Sequence, residues 1–409
     1  MVISLKDEFS SLIDENYKSV IRQIISIARQ MNIKIYLIGG IVRDLILKTP
    51  IKDVDITVEG NAIDFCINLQ NKFDCKIIAK QDNLKTAKVE FLPGIIIDFA
   101  STREEIYKSS GTLPVAYNFG CELSSDVKRR DFTINTLAII LTGNDKYKLI
   151  DKFDGYGDIK NKKIRVLHNK SFQDDPSRII RALKFKERFD FEFDDETYLL
   201  MQKYLEHPNK NMPLERIKSE LKQYFSINKD NLYDEIITTK AYKLITDNPL
   251  LKFNKESLKY LVKYKLFSEK DLPFIYLSLL LINSDFNSAK MNLNSFDKKV
   301  LNEVLSMINS DYDEDDNEKI YKTYSGKEDL SLAIYYLISE NRNIIKFITD
   351  LKGIKILSTG KDLIELGLKP SKYFSEIFDK LLREKLKNKI KTKEEEIEFI
   401  NTIIKKESI

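Results

Sequence analysis

Histidine is almost missing from this chain of 409 residues: His168 and His207 are the only two. An attached His-Asp phosphohydrolase domain needs several metal-binding histidines and is ruled out, and chemistry built on a histidine base or nucleophile is disfavoured. Cysteine is nearly as scarce. Cys66, Cys75 and Cys121 lie far apart without a Cys-x-x-Cys, which argues against a disulfide framework and against structural zinc. There are only 13 glycines and 9 prolines beside 43% hydrophobic and 32% charged residues. That balance belongs to a folded, helix-leaning protein rather than a disordered one. The 67 basic and 63 acidic residues leave a net charge of +4. No basic field covers the molecule, so any nucleic-acid surface has to be local. No apolar window is long enough to span a membrane, and the N-terminus carries early acidic residues in place of an apolar signal core. A cytoplasmic protein of two to four domains is expected. The phosphate loop Gly-x-x-x-x-Gly-Lys-Ser/Thr is also absent, which excludes a Walker ATPase.

The informative stretch begins after an amphipathic helical pattern over about residues 10–30, with Leu12, Ile13, Val20, Ile21, Ile24, Ile25 and Ile27 at helical spacing. Ile33 to Ile38 reads as a buried strand. Gly39 and Gly40 then let the backbone turn tightly and approach a ligand. A helix from about Ile41 points its unpaired N–H groups at that turn and favours an anion there, and Arg43 in its first turn can bond a phosphate. Asp44 suits the helix dipole and can orient Arg43. Close behind stand Asp53 and Asp55 at the head of an apolar strand, Val54 to Val58. At i and i+2 on a strand, both carboxylates face the same side and can hold one hard cation. Strands over Lys76–Ala79, Lys85–Phe91 and Gly94–Phe99 complete a small mixed sheet. Asp98, a carboxylate inside the run Ile95 to Phe99, is either a third metal or base carboxylate or a strand-end cap.

A polar segment from Arg103 to about Lys128, marked by Gly111 and Pro114, reads as a long loop, either functional or a plain surface excursion. Arg129-Arg-Asp-Phe-Thr-Ile-Asn-Thr-Leu-Ala138 reads as two arginines entering an amphipathic helix with Phe132, Leu137, Ile139 and Ile140 on its apolar face. Further on, Asp174 or Asp175 with Pro176 starts a helix. Asp175, Arg178 and Arg181 share about a third of its circumference. A carboxylate acceptor beside guanidinium donors can pair with the amino group and ring nitrogen of either cytosine or adenine. Uracil and guanine present the wrong pattern. The bland reading is a surface ion pair worth a few tenths of a kcal/mol.

Gly39-Gly-Ile-Val-Arg-Asp44, Asp53-Val-Asp55, Arg129-Arg-Asp131 and Asp175-x-x-Arg178 together resemble, in order, the motifs of class II tRNA nucleotidyltransferases (the CCA-adding enzymes) and of the related bacterial poly(A) polymerases. The resemblance implies an α+β head with the small mixed sheet of the nucleotidyltransferase superfamily, followed by an all-α neck, body and tail. It covers nearly the whole chain: catalytic head 1–150, neck with the nucleotide-selecting helix 151–224, helical body 225–325, and helical, tRNA-binding tail 326–409. It implies that Asp53 and Asp55 are catalytic and bind Mg²⁺, with Gly40, Arg43 and Arg130 on the triphosphate. Asp131 and Asn135 hold the surrounding residues in place. Asp175 and Arg178 act as the amino-acid template for the base, while Arg181 and Lys184 also line the nucleotide site. Many relatives carry arginine where this chain has Lys184, whose ammonium lacks the planar fork of a bidentate contact. The polar segment resembles the mobile loop that the family uses when switching from C to A addition.

Beyond about Tyr198 the pattern is helical throughout. Arg216, in Pro213 to Leu221, either touches RNA or belongs to a salt-bridged helix face. Ser310 to Glu318 looks briefly like a Ca²⁺ loop but lacks the required Gly and Glu, and reads as an acidic linker. Lys369, Lys372, Lys380, Arg383, Lys385, Lys387, Lys389, Lys391 and Lys393 are the densest positive charge in the chain. They suit the phosphates of a tRNA acceptor arm. The expected activity is template-independent addition of CCA to the 3′ end of tRNA from CTP and ATP. The alternatives are a relative that adds only the terminal A, only CC or a poly(A) tail, or a non-catalytic RNA-binding protein on the same scaffold. The oligomeric state stays open.

Overall fold

In the computed structural model, which describes residues 3–51, 54–92, 94–283, 293–309 and 316–407, the N-terminal apolar period folds as α1 (Lys6–Leu12) and α2 (Glu15–Gln30). The Asp14 carboxylate accepts from the Asn16 N–H and caps α2, whose Val20, Ile21, Ile24, Ile25 and Ile27 are buried along one stripe. The chain continues through β1 (Ile35–Ile38), α3 (Gly40–Leu47), β2 (Val54–Val58), α4 (Ala62–Lys72), β3 (Lys76–Gln81), β4 (Thr86–Leu92) and β5 (Ile95–Ser101). Next come β6 (Glu104–Ile106), β7 (Val115–Tyr117), α5 (Leu123–Asp126), β8 (Ala138–Ile140) and β9 (Leu149–Ile150).

Seven of these strands form one mixed sheet in the order β3-β4-β5-β2-β1-β8-β9. Only β2 and β5 run parallel, with Asp55 directly opposite Asp98 in the ladder. Along β5 the burial alternates, with Ile95, Ile97, Phe99 and Ser101 inside and Ile96, Asp98 and Ala100 on the more open face. α4 covers the inner face, where Phe65 and Phe99 meet at 5.9 Å between ring centroids. On the open face, Leu123 and Val127 cover Tyr36, Ile38 and Ala138. Asp98 sits in the middle of its strand rather than at an end, so the cap reading does not apply.

Two local expectations are corrected. Arg129 to Ala138 is not a helix: it is a 3₁₀ turn ending at Arg129, a second over Thr133–Asn135, and then β8. The apolar run Leu137–Leu141 is too short and too continuous for an amphipathic helix and instead pairs with β1. The polar segment after Arg103 is not structureless either. β6 and β7 pair as an antiparallel ribbon, with Glu105 opposite Ala116 and Ile106 opposite Val115.

The neck follows as α6 (Gly155–Lys160), β10 (Lys163–Ile164), α7 (Ser171–Asp174), α8 (Ser177–Phe189), β11 (Glu192–Phe193), α9 (Asp195–Glu206) and α10 (Leu214–Phe225). Gly155 lets α6 lie against the turn at 133–135, because a Cβ there would stand 2.3 Å from the Thr133 carbonyl oxygen. The Asp158 carboxylate then accepts from the Thr133 hydroxyl (2.5 Å) and the Arg165 Nε (2.9 Å). α8 packs along α10, and the chain divides into two compact units, 1–247 and 248–409. The first contains all of the expected head and neck and the start of the expected body.

The second unit is helical. Its longer helices are Leu272–Leu281, Ser295–Asn309, Asp329–Ser339, Tyr373–Leu386 and Lys393–Glu407. A cluster of Leu363, Ile377, Leu381 and Ile400 forms the core of its last part. There the fully buried Glu396 accepts from Lys385 and from the Leu357 and Ser358 N–H groups. Several of the expected tail cations are likewise ion-paired: Arg383 with Glu318, Lys387 and Lys389 with Glu384, and Lys393 with Asp362. Ser310 to Asp315, most of the acidic linker, lie outside the described residues. No helix among the described residues is long and apolar enough to cross a membrane.

Candidate active site

Gly39 caps α3 with φ +75° and ψ −123°, a conformation essentially reserved for glycine. Its N–H donates to the Leu137 carbonyl (2.9 Å), and an added Cβ would meet the Arg130 Nη1 at 3.1 Å. The turn therefore brings the start of α3 and Arg130 together. Arg43, 4% exposed, donates through Nε and Nη2 to Asp44 (2.9 and 2.8 Å) and through Nη1 to Asn135 (2.6 Å). Its guanidinium lies 4.5 Å from the Phe189 ring centroid. Asp44 thus does orient Arg43, as its position in the sequence suggested.

The two arginines of the Arg-Arg-Asp motif converge on one carboxylate that the sequence reading overlooked. Asp126 is fully buried. Its Oδ1 accepts from Arg129 Nε and Nη2 (3.0 and 2.8 Å) and from the Arg103 N–H (3.1 Å), and its Oδ2 from Arg130 Nε and Nη2 (3.3 and 3.0 Å). The available signal was the i, i+3, i+4 spacing of Asp126, Arg129 and Arg130. Burial alone would raise the Asp126 carboxyl, but the charges of Arg130 and Arg129 outweigh it and hold the group below its ordinary value. Asp131 is a second such clamp. Its Oδ1 accepts from the Phe132 N–H and Asn135 Nδ2 (both 2.9 Å), and its Oδ2 from Arg181. Burial again opposes the charge, and Arg181 with the Asn135 bond more than offsets it, bringing the carboxyl down to about 2. Burial also pulls the Arg43 and Arg130 guanidiniums below their usual value despite their carboxylate partners. An anion at this place would relieve that pressure.

Asp175 does not belong to the helix expected to carry it. It stands in extended conformation after α7, ahead of Pro176, and α8 begins at Ser177. Proline disfavours helical geometry in the residue before it. Asp175 and Arg178 are nevertheless both buried, 2% and 3% exposed, and are joined through the backbone, the Arg178 N–H donating to the Asp175 carbonyl (3.1 Å). The surface-pair reading therefore fails. Asp175 Oδ1 accepts from the Ser177 N–H and hydroxyl (3.1 and 2.5 Å), and its Oδ2 from Arg216. Arg178 donates to Ser171 Oγ (2.7 Å), the Arg129 carbonyl (3.0 Å) and the Tyr107 hydroxyl (3.3 Å). Arg216, which the sequence left between RNA contact and helix face, is the partner of the Asp175 carboxylate. Its contact spans 41 residues and had no local signal. Arg181 is held between Asp131 and Glu220, its Nη1 3.1 Å from Glu220 Oε1.

These residues line one cavity of about 670 Å³. Gly40, Arg43, Arg130, Asp175, Arg178 and Arg181 are all in its wall, with Arg103, Arg129 and Arg216 adding positive charge. Lys184 is not in the wall. Its ammonium donates to Glu220 (2.6 Å) and Gln223 (2.8 Å) on α10, and so fixes the carboxylate that also holds Arg181. A second cavity of about 420 Å³ shares Gly40 and Arg130 with the first and is lined by Asp55, Asp98 and Lys88. Asp98 is paired with Lys88 at 2.8 Å. Carboxylate oxygens are the donors that suit a hard divalent cation, and Asp55 with Asp98 places two of them on neighbouring strands. Among the described residues no group of three or more metal-binding side chains is assembled. Asp53, expected to be the other ligand, lies outside the described residues.

The comparisons with known proteins bear on the fold and the family. Residues 35–165 match the poly A polymerase head domain. The chain is 26% identical to the A-adding tRNA nucleotidyltransferase of Halalkalibacterium halodurans, over 97% of this chain and 95% of that protein. It is 28% identical to the A-adding tRNA nucleotidyltransferase of Geobacter sulfurreducens over 93% of this chain, which spans only 46% of that longer protein. The Thermotoga maritima CCA-adding enzyme complexed with tRNA superposes with a TM-score of 0.73 at 26% identity, covering 99% of both chains. A CCA-adding enzyme in complex with CTP superposes with a TM-score of 0.76 at 26% identity, over 100% of this chain and 99% of that one. The head-domain match and the likeness to nucleotidyltransferases over almost the whole chain support placing it in the tRNA nucleotidyltransferase family.

Proposed function

We propose that this protein extends the 3′ end of tRNA by CCA, taking the nucleotides from CTP and ATP without a nucleic-acid template. The observation that carries the reading is the arginine-walled cavity with a buried carboxylate and guanidinium, Asp175 and Arg178, in its wall. A triphosphate fits the end formed by Gly40, Arg43 and Arg130. The base fits between Asp175, which accepts from its amino group, and Arg178, which donates to its ring nitrogen. Arg181 borders the same site, and Lys184 acts on it through Glu220. Mg²⁺ on Asp53 and Asp55, when bound, would neutralise charge on the phosphates and make the attacking hydroxyl more acidic. The residues of this chain orient the nucleotide, shield its charge and exclude water. The tail, residues 326–409, is assigned to tRNA, and a cytoplasmic location is part of the same reading.

Asp53→Ala and Asp55→Ala should each abolish incorporation of labelled nucleotide into tRNA while leaving tRNA retention on a filter intact. Full incorporation by either variant would overturn the mechanism. A second reading, addition of the terminal A alone, is favoured by the A-adding names of the Geobacter and Halalkalibacterium relatives. Incubating tRNA that lacks the whole CCA end, or lacks only the final A, with CTP or ATP separates the two. Use of CTP on the shorter tRNA supports CCA addition. Use of ATP on the longer tRNA alone supports the second reading.

A further inference from the structure

The β6–β7 ribbon carries a tyrosine that touches the base-selecting arginine. Glu105 and Tyr107, two residues apart and so on the same side of the ribbon, both line the nucleotide cavity. Glu105 accepts from Arg103 Nε (2.9 Å) and Arg129 Nη1 (3.2 Å), which ties the base of the ribbon to the arginine clamp. Beyond Tyr107 the tip is bound to the neck. The Ser110 hydroxyl and the Gly111 N–H both donate to the Gln173 carbonyl (2.7 and 2.9 Å), and Asn209 Nδ2 donates to the Ser110 carbonyl (3.0 Å). Tyr107 is thus fixed on both sides, and its hydroxyl oxygen accepts from Arg178 Nη2 at 3.3 Å. We propose that Tyr107 is a specificity-determining positioning residue, whose hydroxyl holds Arg178 so that with Asp175 it accepts an amino-bearing base edge and rejects a carbonyl-bearing one. The inference rests on the assignment of base selection to Asp175 and Arg178.

The hydrogen-bond inventory supports it. A guanidinium carries five N–H donors. Ser171 takes one from Nη1, while the Arg129 carbonyl and Tyr107 take both from Nη2. That leaves Nε–H and the second Nη1–H for the ring nitrogen of cytosine or adenine. With uracil or guanine, a carbonyl oxygen would meet the Asp175 carboxylate and a ring N–H would meet the guanidinium, acceptor against acceptor and donor against donor. Rejection requires that both side chains stay in place. A guanidinium free to turn can donate to the carbonyl and relieve the clash. Burial keeps the Tyr107 hydroxyl protonated by raising it above its ordinary value, so it offers Arg178 a neutral acceptor rather than a competing charge.

The test compares Tyr107→Phe, Tyr107→Ala and Asp175→Ala with the parent, measuring kcat and KM with tRNA acceptors for CTP against UTP and for ATP against GTP. Tyr107→Phe keeps the ring and removes one bond to a charged group, so the discrimination ratio for each accepted nucleotide should fall by about tenfold. The gain should appear in kcat/KM for the rejected nucleotide. An unchanged ratio, or an equal fall for accepted and rejected nucleotides, would overturn the proposal, since a merely structural tyrosine affects both alike. If only Tyr107→Ala moves the ratio, the ring rather than the hydroxyl is responsible, and the proposal also fails. Asp175→Ala keeps the two failures apart. If it relaxes selection while Tyr107→Phe does not, only the tyrosine assignment falls. If it too leaves the ratio unchanged, the base-selection reading falls with it.

Discussion

Asp126→Asn is the change that best tests how Arg129 and Arg130 are held. The Asp126 carboxylate is fully buried and accepts four bonds from Arg129 and Arg130 and one from the Arg103 N–H. Asparagine keeps the shape but replaces one acceptor with an amino donor that faces a guanidinium, and it leaves two adjacent arginines without their shared counter-charge. Removing one partner of a buried ion pair costs about 3–5 kcal/mol. The Arg129 and Arg130 side chains keep 17% and 18% of their exposure, so water softens the loss and the lower end, about 3 kcal/mol, is expected. For a unit of this size that corresponds to a fall in Tm of roughly 6–12 °C. Arg130, released from its clamp, loses a defined charge-assisted contact, and the nucleotide KM should rise roughly 10- to 100-fold. Differential scanning calorimetry and steady-state nucleotide addition measure the two effects. A variant that melts within about a degree of the parent with an unchanged KM would refute the idea that Asp126 organises the site.

Four further changes probe other parts of the same logic. Gly39→Ala puts a side chain on a residue at φ +75° with its Cβ 3.1 Å from Arg130 Nη1. A cost of about 1–3 kcal/mol and a raised nucleotide KM are expected, read from urea unfolding and kinetics. Asp131 has a carboxyl lowered from 3.8 to about 2, so its stabilisation is complete above about pH 4 and is lost as the pH falls toward 2. Between pH 5 and pH 2 the parent should therefore lose about 2 kcal/mol more than Asp131→Asn. Parallel pH slopes in urea unfolding would remove the argument. Gly155→Ala sets a methyl 2.3 Å from a backbone oxygen and should cost about 3 kcal/mol, seen as a lower unfolding midpoint. Glu396→Ala strands the buried Lys385 ammonium and two N–H groups. A loss of about 3–5 kcal/mol should appear in the melting of the second unit, and an unaltered melt would show that the pair contributes nothing.

Much of the head was legible because its signals are short in range. The alternation along β5 and the stripe on α2 follow from strand and helix periods alone. The glycine turn, with Arg43 beside Asp44, lies within six residues. The misreadings fall where local pattern and long-range pairing disagree. Leu137 to Leu141 carries apolar residues that suit either period, and pairing with β1 decided in favour of a strand. The ribbon from Glu104 to Tyr117 has too little hydrophobic pattern to announce itself and is held by cross-strand bonds and by the neck. Lys184 was assigned to the nucleotide by its place in a motif, yet its ammonium turns to Glu220 and Gln223 on α10.

The amino-acid sequence by itself determined which chemical groups are available and in what order: a glycine turn before a helix, carboxylates spaced for one strand face, arginines in pairs, and an Asp-x-x-Arg at a helix start. Those are properties of neighbours in the chain, so spacing and residue type suffice to state them. Only the tertiary structure decided which charge faces which. Asp126 holds both arginines of the motif, Arg216 holds Asp175 from 41 residues away, and Tyr107 reaches Arg178 across 71. A buried charge takes whatever partner the fold brings within about 3 Å, and that distance is set by the packing of sheet, ribbon and neck.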